Sequence, residues 1–343
     1  MNVLYHLTIL PPKTPGCDAV VQNVQALQGS VGGQVIYINP NDHAPLYVPR
    51  IAFGLDRLRE LRELEEGLDL HHVFNPDPFP FPVFRRLRRP VVYSLTTGLN
   101  EHLARPARRR VIRYFSTLPA VTAADKATWR HLRSWGLENI SLVRTGIDTS
   151  RFTHTPQPLR QEIKVMAGSA PWSRAQFARK GVHALLRAAR QDPRLHLVFL
   201  WRNVLTDYMR HLVHHMGLER QVEVLNERVD VNRVLANVHA SIVLATDPSI
   251  VVPFPHSLIE SLAAGKPVLV SRCIAMAEYV EDKGCGQVVE ATTAEGIQGA
   301  LSRLARDYER LASRAGEIGA RDFSQEEMIA SFQGLYERVV AKT

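Results

Sequence analysis

The chain has 343 residues, 45% hydrophobic and 22% charged, which excludes a disordered or fibrous protein and makes two domains the default. Three scattered cysteines, Cys17, Cys273 and Cys285, are too few for a disulfide framework or a four-cysteine zinc site, so a reducing compartment is expected. The net charge of +8 is concentrated: nine arginines lie between Arg85 and Arg113 against one acid, Glu101, a patch suited to anionic partners of any kind.

In chain order, NVLYHLTIL (2–10) predicts a strand, the turn-rich PPKTPGCD (11–18) leads into a helix over AVVQNVQALQGSV (19–31), and QVIYINP (34–40) is the next strand. Leucines at 58, 61, 64 and 68 recur at helical spacing. HHVFNP (71–76) and PVVYSLT (90–96) are strand-sized, AVTAADKATWRHLRSWG (120–136) is a strand and a helix, and NISLVRTGI (139–147) another strand. The polar, proline-containing HTPQPLRQ (154–161) is the expected linker.

The alternation then restarts. Strands are expected at EIKVMAG (162–168), LHLVFLW (195–201), QVEVLNE (221–227), ASIVLAT (240–246), KPVLVS (266–271) and QVVEA (287–291), with helices between them and from about 295 onward. The fold class is therefore α/β, two doubly wound Rossmann-like domains facing across a cleft, with residues 1–155 as the first domain, 156–325 as the second, and 326–343 as a helix packing back on the first. In that helix and its approach, Phe323, Met328, Phe332, Leu335, Tyr336 and Val339 are expected on one face.

HSLIESLAAGKPVLVS (256–271) carries the chemistry furthest. Leu258, Ile259, Leu262 and Ala263 form the buried face of a short helix, Gly265 ends it in a left-handed conformation, and Pro267 prevents its continuation. Its amino end follows a loop at the carboxyl end of a strand, which puts His256 and Ser257 near backbone N–H groups suited to phosphate oxygens. Glu260, among residues suited to burial, needs donors to accept from, and the adjacent hydroxyls of a ribose would serve. Gly16 lies in a loop where backbone can approach a ligand or simply turn, and Asp18 is a helix N-cap. Asp148 is expected to cap a turn. The pairs His71–His72 and His214–His215 lack a third ligand and HLVHH (211–215) lacks a zinc-peptidase glutamate, so ordinary surface histidines and no metal are expected.

PFPHSLIESLAAGKPVLVS (253–271) resembles the donor-binding segment of glycosyltransferase family 4, VRTGIDTSRF (143–152) the segment closing that family's first domain, and GSAPWSRAQFARKGVHALLRAA (168–189) its glycine-arginine loop with lysine-glycine and a helix. The resemblance implies a GT-B fold and a retaining transfer of a sugar from a nucleotide-sugar, UDP- or GDP-linked, without a metal or other cofactor. It implies that Glu260 takes the ribose and that Lys180 with Arg174 neutralises the diphosphate, Arg179 competing with Arg174 for that role. Gly16, Gly168, Pro255, His256, Ser257 and Leu258 would complete the donor side.

Where the family carries a second glutamate this chain has Val252, and where it often has a first-domain histidine the chain offers Thr96, Thr97 and, further on, His102. A catalytically inactive nucleotide-sugar-binding protein is therefore the main alternative. A nucleic-acid-binding protein using the arginines is a weaker one, since no zinc-finger spacing or stacking aromatic motif is present. The acceptor is unidentified; the arginine patch points to an anionic acceptor, lipid-linked or polysaccharide, or to an anionic membrane. With no leader at the first residues and no run of 18 apolar residues, the expected location is cytoplasmic, peripheral at the inner membrane face.

Overall fold

The computed structural model describes every residue except 13–15, 17, 100–103, 202, 228 and 343. The chain divides into two units: Met1–Gly146 with Gln325–Thr343, and Ile147–Ser324. The first division thus falls ahead of the expected boundary after residue 155. The reason is local: Ile147 donates its N–H to the Phe323 carbonyl at 2.9 Å and its side chain is buried in the second unit's core. The segment expected as linker is fastened to that unit. Thr153 and Gln157 bond to Asn232 and Ala236, and Lys266 donates to the Thr155 carbonyl.

The first unit runs β1 (Val3–Leu7), α1 (Ala19–Val31), β2 (Gln34–Tyr37), α2 (Leu58–Leu64), β3 (Leu70–Asn75), β4 (Val91–Leu95), α3 (Arg105–Phe115), β5 (Ala120–Ala123), α4 (Lys126–Ser134) and β6 (Ile140–Leu142). Its six strands are parallel in the order β2-β1-β3-β4-β5-β6. Strands covered on both faces are predominantly apolar, and β1, β3, β4 and β5 are buried at every position, their few polar side chains included. Asp18 caps α1, accepting from the Val20 and Val21 amides at 3.0 and 3.1 Å.

The second unit runs β7 (Ile163–Ala167), α5 (Arg174–Arg179), α6 (Val182–Gln191), β8 (Leu195–Leu200), α7 (Thr206–His215), β9 (Val222–Leu225), α8 (Val231–Leu235), β10 (Ala240–Val243), α9 (His256–Ala263), β11 (Val268–Ser271), α10 (Met276–Lys283), β12 (Gly286–Val289), α11 (Ala294–Arg306) and α12 (Tyr308–Asp322). Its strands are also all parallel, in the order β12-β11-β10-β7-β8-β9. Chain direction across the sheet reverses beside β7, where β8 lies on one side and β10 on the other. Such a switch point, at the carboxyl ends of the strands, is where open α/β sheets bind ligands. Both units are Rossmann-like.

The last helix, α13 (Gln325–Val340), returns to the first unit, where Met328, Phe332, Leu335, Tyr336 and Val339 are buried with Val21, Val24 and Leu27 of α1. Phe323 departs from the expected face. It is buried in the second unit against Phe254 and Tyr279, because α12 ends at Asp322 and the helical phase is broken before α13 begins. No helix among the described residues is long and apolar enough to cross a membrane.

The histidine pair at 71–72 also departs from expectation. Neighbouring strand residues point to opposite faces, and β3 is covered on both, so both rings are fully buried. His71 Nε2 meets Glu65 Oε1 at 3.2 Å and its Nδ1 meets His6 Nε2 at 2.9 Å. On the other face His72 bonds Tyr336 at 2.5 Å and Ser94 at 2.6 Å. His214 and His215 are exposed, as expected.

Candidate functional site

The loops leaving β7 and β10 meet at the second unit's switch point. Gly168 follows β7 directly, and a Cβ built on it would lie 2.6 Å from the Ser257 Cβ at the amino end of α9. Only glycine permits that approach. The next two residues hold Lys180, whose ammonium donates to Ser169 Oγ at 3.1 Å and to the Ala170 carbonyl at 3.2 Å. One short piece of backbone is therefore flanked by the amino end of a helix and by a lysine, both attractive to an anion.

Gly181, after Lys180, is left-handed at φ 66°, and a Cβ there would lie 2.8 Å from the Leu244 side chain. This glycine lets α6 start against the chain leaving β10. The Arg179 carbonyl accepts from the Thr246 amide at 2.8 Å and its guanidinium meets Asp247 at 3.3 Å. Asp247 also accepts from the Ser249 amide and hydroxyl at 2.7 and 2.6 Å, and these bonds hold its carboxyl below the usual carboxylate range. The loop to α9 thus starts from a fixed turn.

In α9, Leu258, Ile259, Leu262 and Ala263 are buried and Gly265 is left-handed at φ 73°. Ser257 and Glu260 are half-buried and, three positions apart, share a face. Ser257 touches Gly168, and Glu260 follows about one turn further along that face. Pro255 precedes the helix as its N-cap residue and His256, its first residue, is buried. Val252 is half-buried.

The three expected cations do not converge. Lys180 lies at the Gly168 loop, Arg179 faces Asp247, and Arg174 stacks 4.9 Å from the centre of the Tyr208 ring on α7. Trp172 in the same loop is 55% exposed, its amide held by Gln176 at 2.8 Å. Neither the Trp172 position nor the Asp247 pairing was anticipated. Asp247 before Pro248 and Ser249 is a turn signal that could have marked the second.

In the first unit, Thr96 donates its amide to the Asn75 carbonyl at 2.9 Å and Thr97 bonds the Pro76 carbonyl, both beyond the carboxyl ends of β3 and β4. His102 lies outside the described residues. Gly16 is exposed and a side chain there would meet open space; its carbonyl accepts from Gln22 at 2.6 Å. Unanticipated is a polar cluster beside these threonines. Arg50 meets both Asp77 carboxylate oxygens at 2.6 and 2.8 Å and Asn75 at 3.1 Å, and stacks 4.7 Å from the Phe79 ring centre. Among the described residues no group of three His, Cys, Asp or Glu could hold a metal.

Residues 173–322 match the family model described as glycosyl transferases group 1. The chain is 28% identical over 245 residues to an MMP alpha-(1->4)-mannosyltransferase of Mycolicibacterium hassiacum, an alignment covering 68% of this chain and 57% of that relative. HepE from Anabaena, solved with UDP and glucose, superposes with a TM-score of 0.72 at 18% identity, covering 98% of this chain and all of that one. A sucrose-phosphate synthase from Thermosynechococcus elongatus gives a TM-score of 0.72 at 17% identity, over the full length of both chains. These likenesses show the GT-B fold.

Proposed function

We propose that this chain is a glycosyltransferase that moves a sugar from a nucleotide-sugar donor, UDP-linked or GDP-linked, to an anionic acceptor, with retention of configuration and without a metal. The observation that carries this is the approach of Gly168 to Ser257 and of Lys180 to the two residues after Gly168 at the switch point beside β7, with Lys180 and Ser257 inside the stretch that matches the glycosyl transferases group 1 model. HepE, solved with UDP and with UDP-glucose, supports UDP as the first donor to try.

When the bond to the sugar breaks, the nucleoside diphosphate leaves with added negative charge. Lys180 and the amino end of α9 are fixed in place before the reaction, so they stabilise that charge without reorganising. Glu260 accepts from the ribose hydroxyls and sets the register of the diphosphate. With Val252 in the place of a second acid, the sugar is held by backbone groups around Pro255, His256, Ser257 and Leu258. Arg174, stacked on Tyr208, and Arg179, engaged with Asp247, support the loops around the phosphates. Gly16 belongs to the donor side, and Thr96, Thr97 and His102 to the acceptor side.

The patch between Arg85 and Arg113 supports an anionic acceptor, lipid-linked or polysaccharide, or contact with an anionic membrane, and a place of work at the inner membrane face. Calorimetry with UDP, UDP-glucose and GDP-mannose, followed by transfer assays with lipid-linked and polysaccharide acceptors, tests the proposal. Val252 favours a second reading, a nucleotide-sugar-binding protein without transfer. Saturable donor binding with neither hydrolysis nor transfer on any acceptor would select it, and absence of binding to every nucleotide would overturn both.

A further inference from the structure

The first unit exposes apolar side chains where a folded protein gains nothing from them. Leu46 is 80% exposed, Tyr47 79% and Ile51 57%. The loop that carries them is fastened. The Asn41 side chain accepts from the Val48 amide at 2.7 Å and donates to its carbonyl at 3.0 Å, closing the loop, while Val48 packs on the core. Pro45 and Pro49 bracket the tip, and Arg50 anchors its far side on Asp77. Its one carboxylate, Asp42, meets His43 at 2.5 Å.

Beside this prong runs the arginine ridge. The turn at 50–52 packs against the turn at 82–86, and Arg85 of the latter lies 5.2 Å from the centre of the Tyr114 ring on α3. α3 buries Val111, Tyr114 and Phe115 and exposes Arg105, Arg109, Arg110 and Arg113. None of these four arginines forms an ion pair among the described residues. The two arginine-rich stretches and the prong are therefore neighbours on one unit. Polyanion binding needs only the cations, whereas an apolar tip beside them fits a surface with headgroups over hydrocarbon.

We infer that loop 43–51 inserts Leu46 and Tyr47 into the interface of a bilayer containing anionic lipid while the arginines of α3 and 85–89 bind its headgroups. This deepens the transferase proposal, making the acceptor one presented at a membrane, and its test is separable from donor binding. Flotation of the full chain with phosphatidylcholine vesicles, with and without phosphatidylglycerol, at low and high salt reads it directly. Wild-type protein is expected to bind only vesicles with phosphatidylglycerol, and less at high salt.

Leu46→Ser with Tyr47→Ser should weaken binding on the order of tenfold at both salt concentrations, through lost apolar burial. Arg109→Glu with Arg110→Glu should lose at least about tenfold and most of the salt dependence. Tyr47→Trp should show a blue-shifted emission on vesicles. No preference for anionic vesicles, an unshifted Trp emission, or unchanged vesicle binding by the double serine variant would each overturn the inference, the last pointing to a polyanion such as RNA. UDP affinity, measured in the same preparations, should not change in either double variant. A wild-type protein that binds vesicles but no nucleotide would sink the transferase proposal and leave this surface standing.

Discussion

The carboxyl edges of the two sheets have similar topology and opposite chemistry. Beside β7 the chain comes together through glycines, Gly168 against Ser257 and Gly181 against Leu244, and leaves a lysine and a helix end bordering one loop. Beside β1 and β3 the polar side chains are joined to one another: Thr8 to Asn75, Asn75 to Asp77, and Arg50 to both Asn75 and Asp77. A cluster that satisfies its own donors and acceptors is a scaffold, whereas backbone beside a fixed cation is suited to receive an anion. On the proposed function, the contrast puts phosphate chemistry in the second unit and support in this part of the first.

The largest effect expected from that contrast is one of stability. Phe332→Ala should destabilise the first unit by about 3–5 kcal/mol, the usual cost of emptying a buried phenylalanine site, while UDP affinity of the folded protein changes little. Calorimetric melts beside binding isotherms check this, and a large loss of affinity would break the contrast. In the second unit, Glu260→Ala should weaken nucleotide-sugar binding by about 1.5–3 kcal/mol, the scale of hydrogen bonds to a charge. Lys180→Ala should cost a nucleoside diphosphate more than the nucleoside. Equal losses for both ligands would remove its phosphate role.

Acid and alkali should act on different units. Burial holds His6 and His72 well below their ordinary value of 6.5, with His71, His72 and Arg57 beside His6 adding to the effect there. Unfolded histidine therefore takes up a proton that the folded ring refuses, and stability falls as pH drops below 6.5 by about 1.4 kcal/mol per pH unit for each such group. Glu65 acts in the same direction at lower pH. Its carboxyl is held below 4.5, despite burial, by the Arg89 amide, His71 and the Arg88 amide, and its contribution is lost as pH falls through that lowered value.

In the second unit, burial pushes the Lys266 ammonium down to about 8 from 10.5, so the unfolded chain holds the extra proton between those values and stability rises with pH across that window. Melting followed by hydrogen exchange should show the first unit failing first in acid. The smallest effect is expected at Arg179→Ala, because a half-exposed ion pair with Asp247 contributes about 0–1 kcal/mol. A loss of diphosphate affinity as large as that of Lys180→Ala would return Arg179 to the phosphate.

What was legible in the sequence was what neighbouring residues decide. α9 could be bounded because Leu258, Ile259, Leu262, Gly265 and Pro267 are all local signals, and the alternation of strands and helices followed from runs of similar kind. α3 stayed hidden because its arginines masked Val111, Tyr114 and Phe115, and α5 and α10 are too short for a clear period. The link from Glu65 through His71 to His6 depends on strands paired across 65 positions, which no local pattern encodes. The contact between Gly168 and Ser257 is of the same kind. Each residue could be singled out alone, but their approach follows from the order of β7 and β10 in the sheet.

The return of α13 to the first unit has a consequence for synthesis. Tyr5, His72 and Phe74 lie on a face whose cover includes Phe332 and Tyr336, and those two leave the ribosome only after the whole second unit. While the second unit can complete its core during translation, the first must wait with apolar side chains and the Nδ1 of His72 facing water. A nascent chain paused before residue 325 would present that face to chaperones, which makes this interval the time of greatest exposure to misassembly.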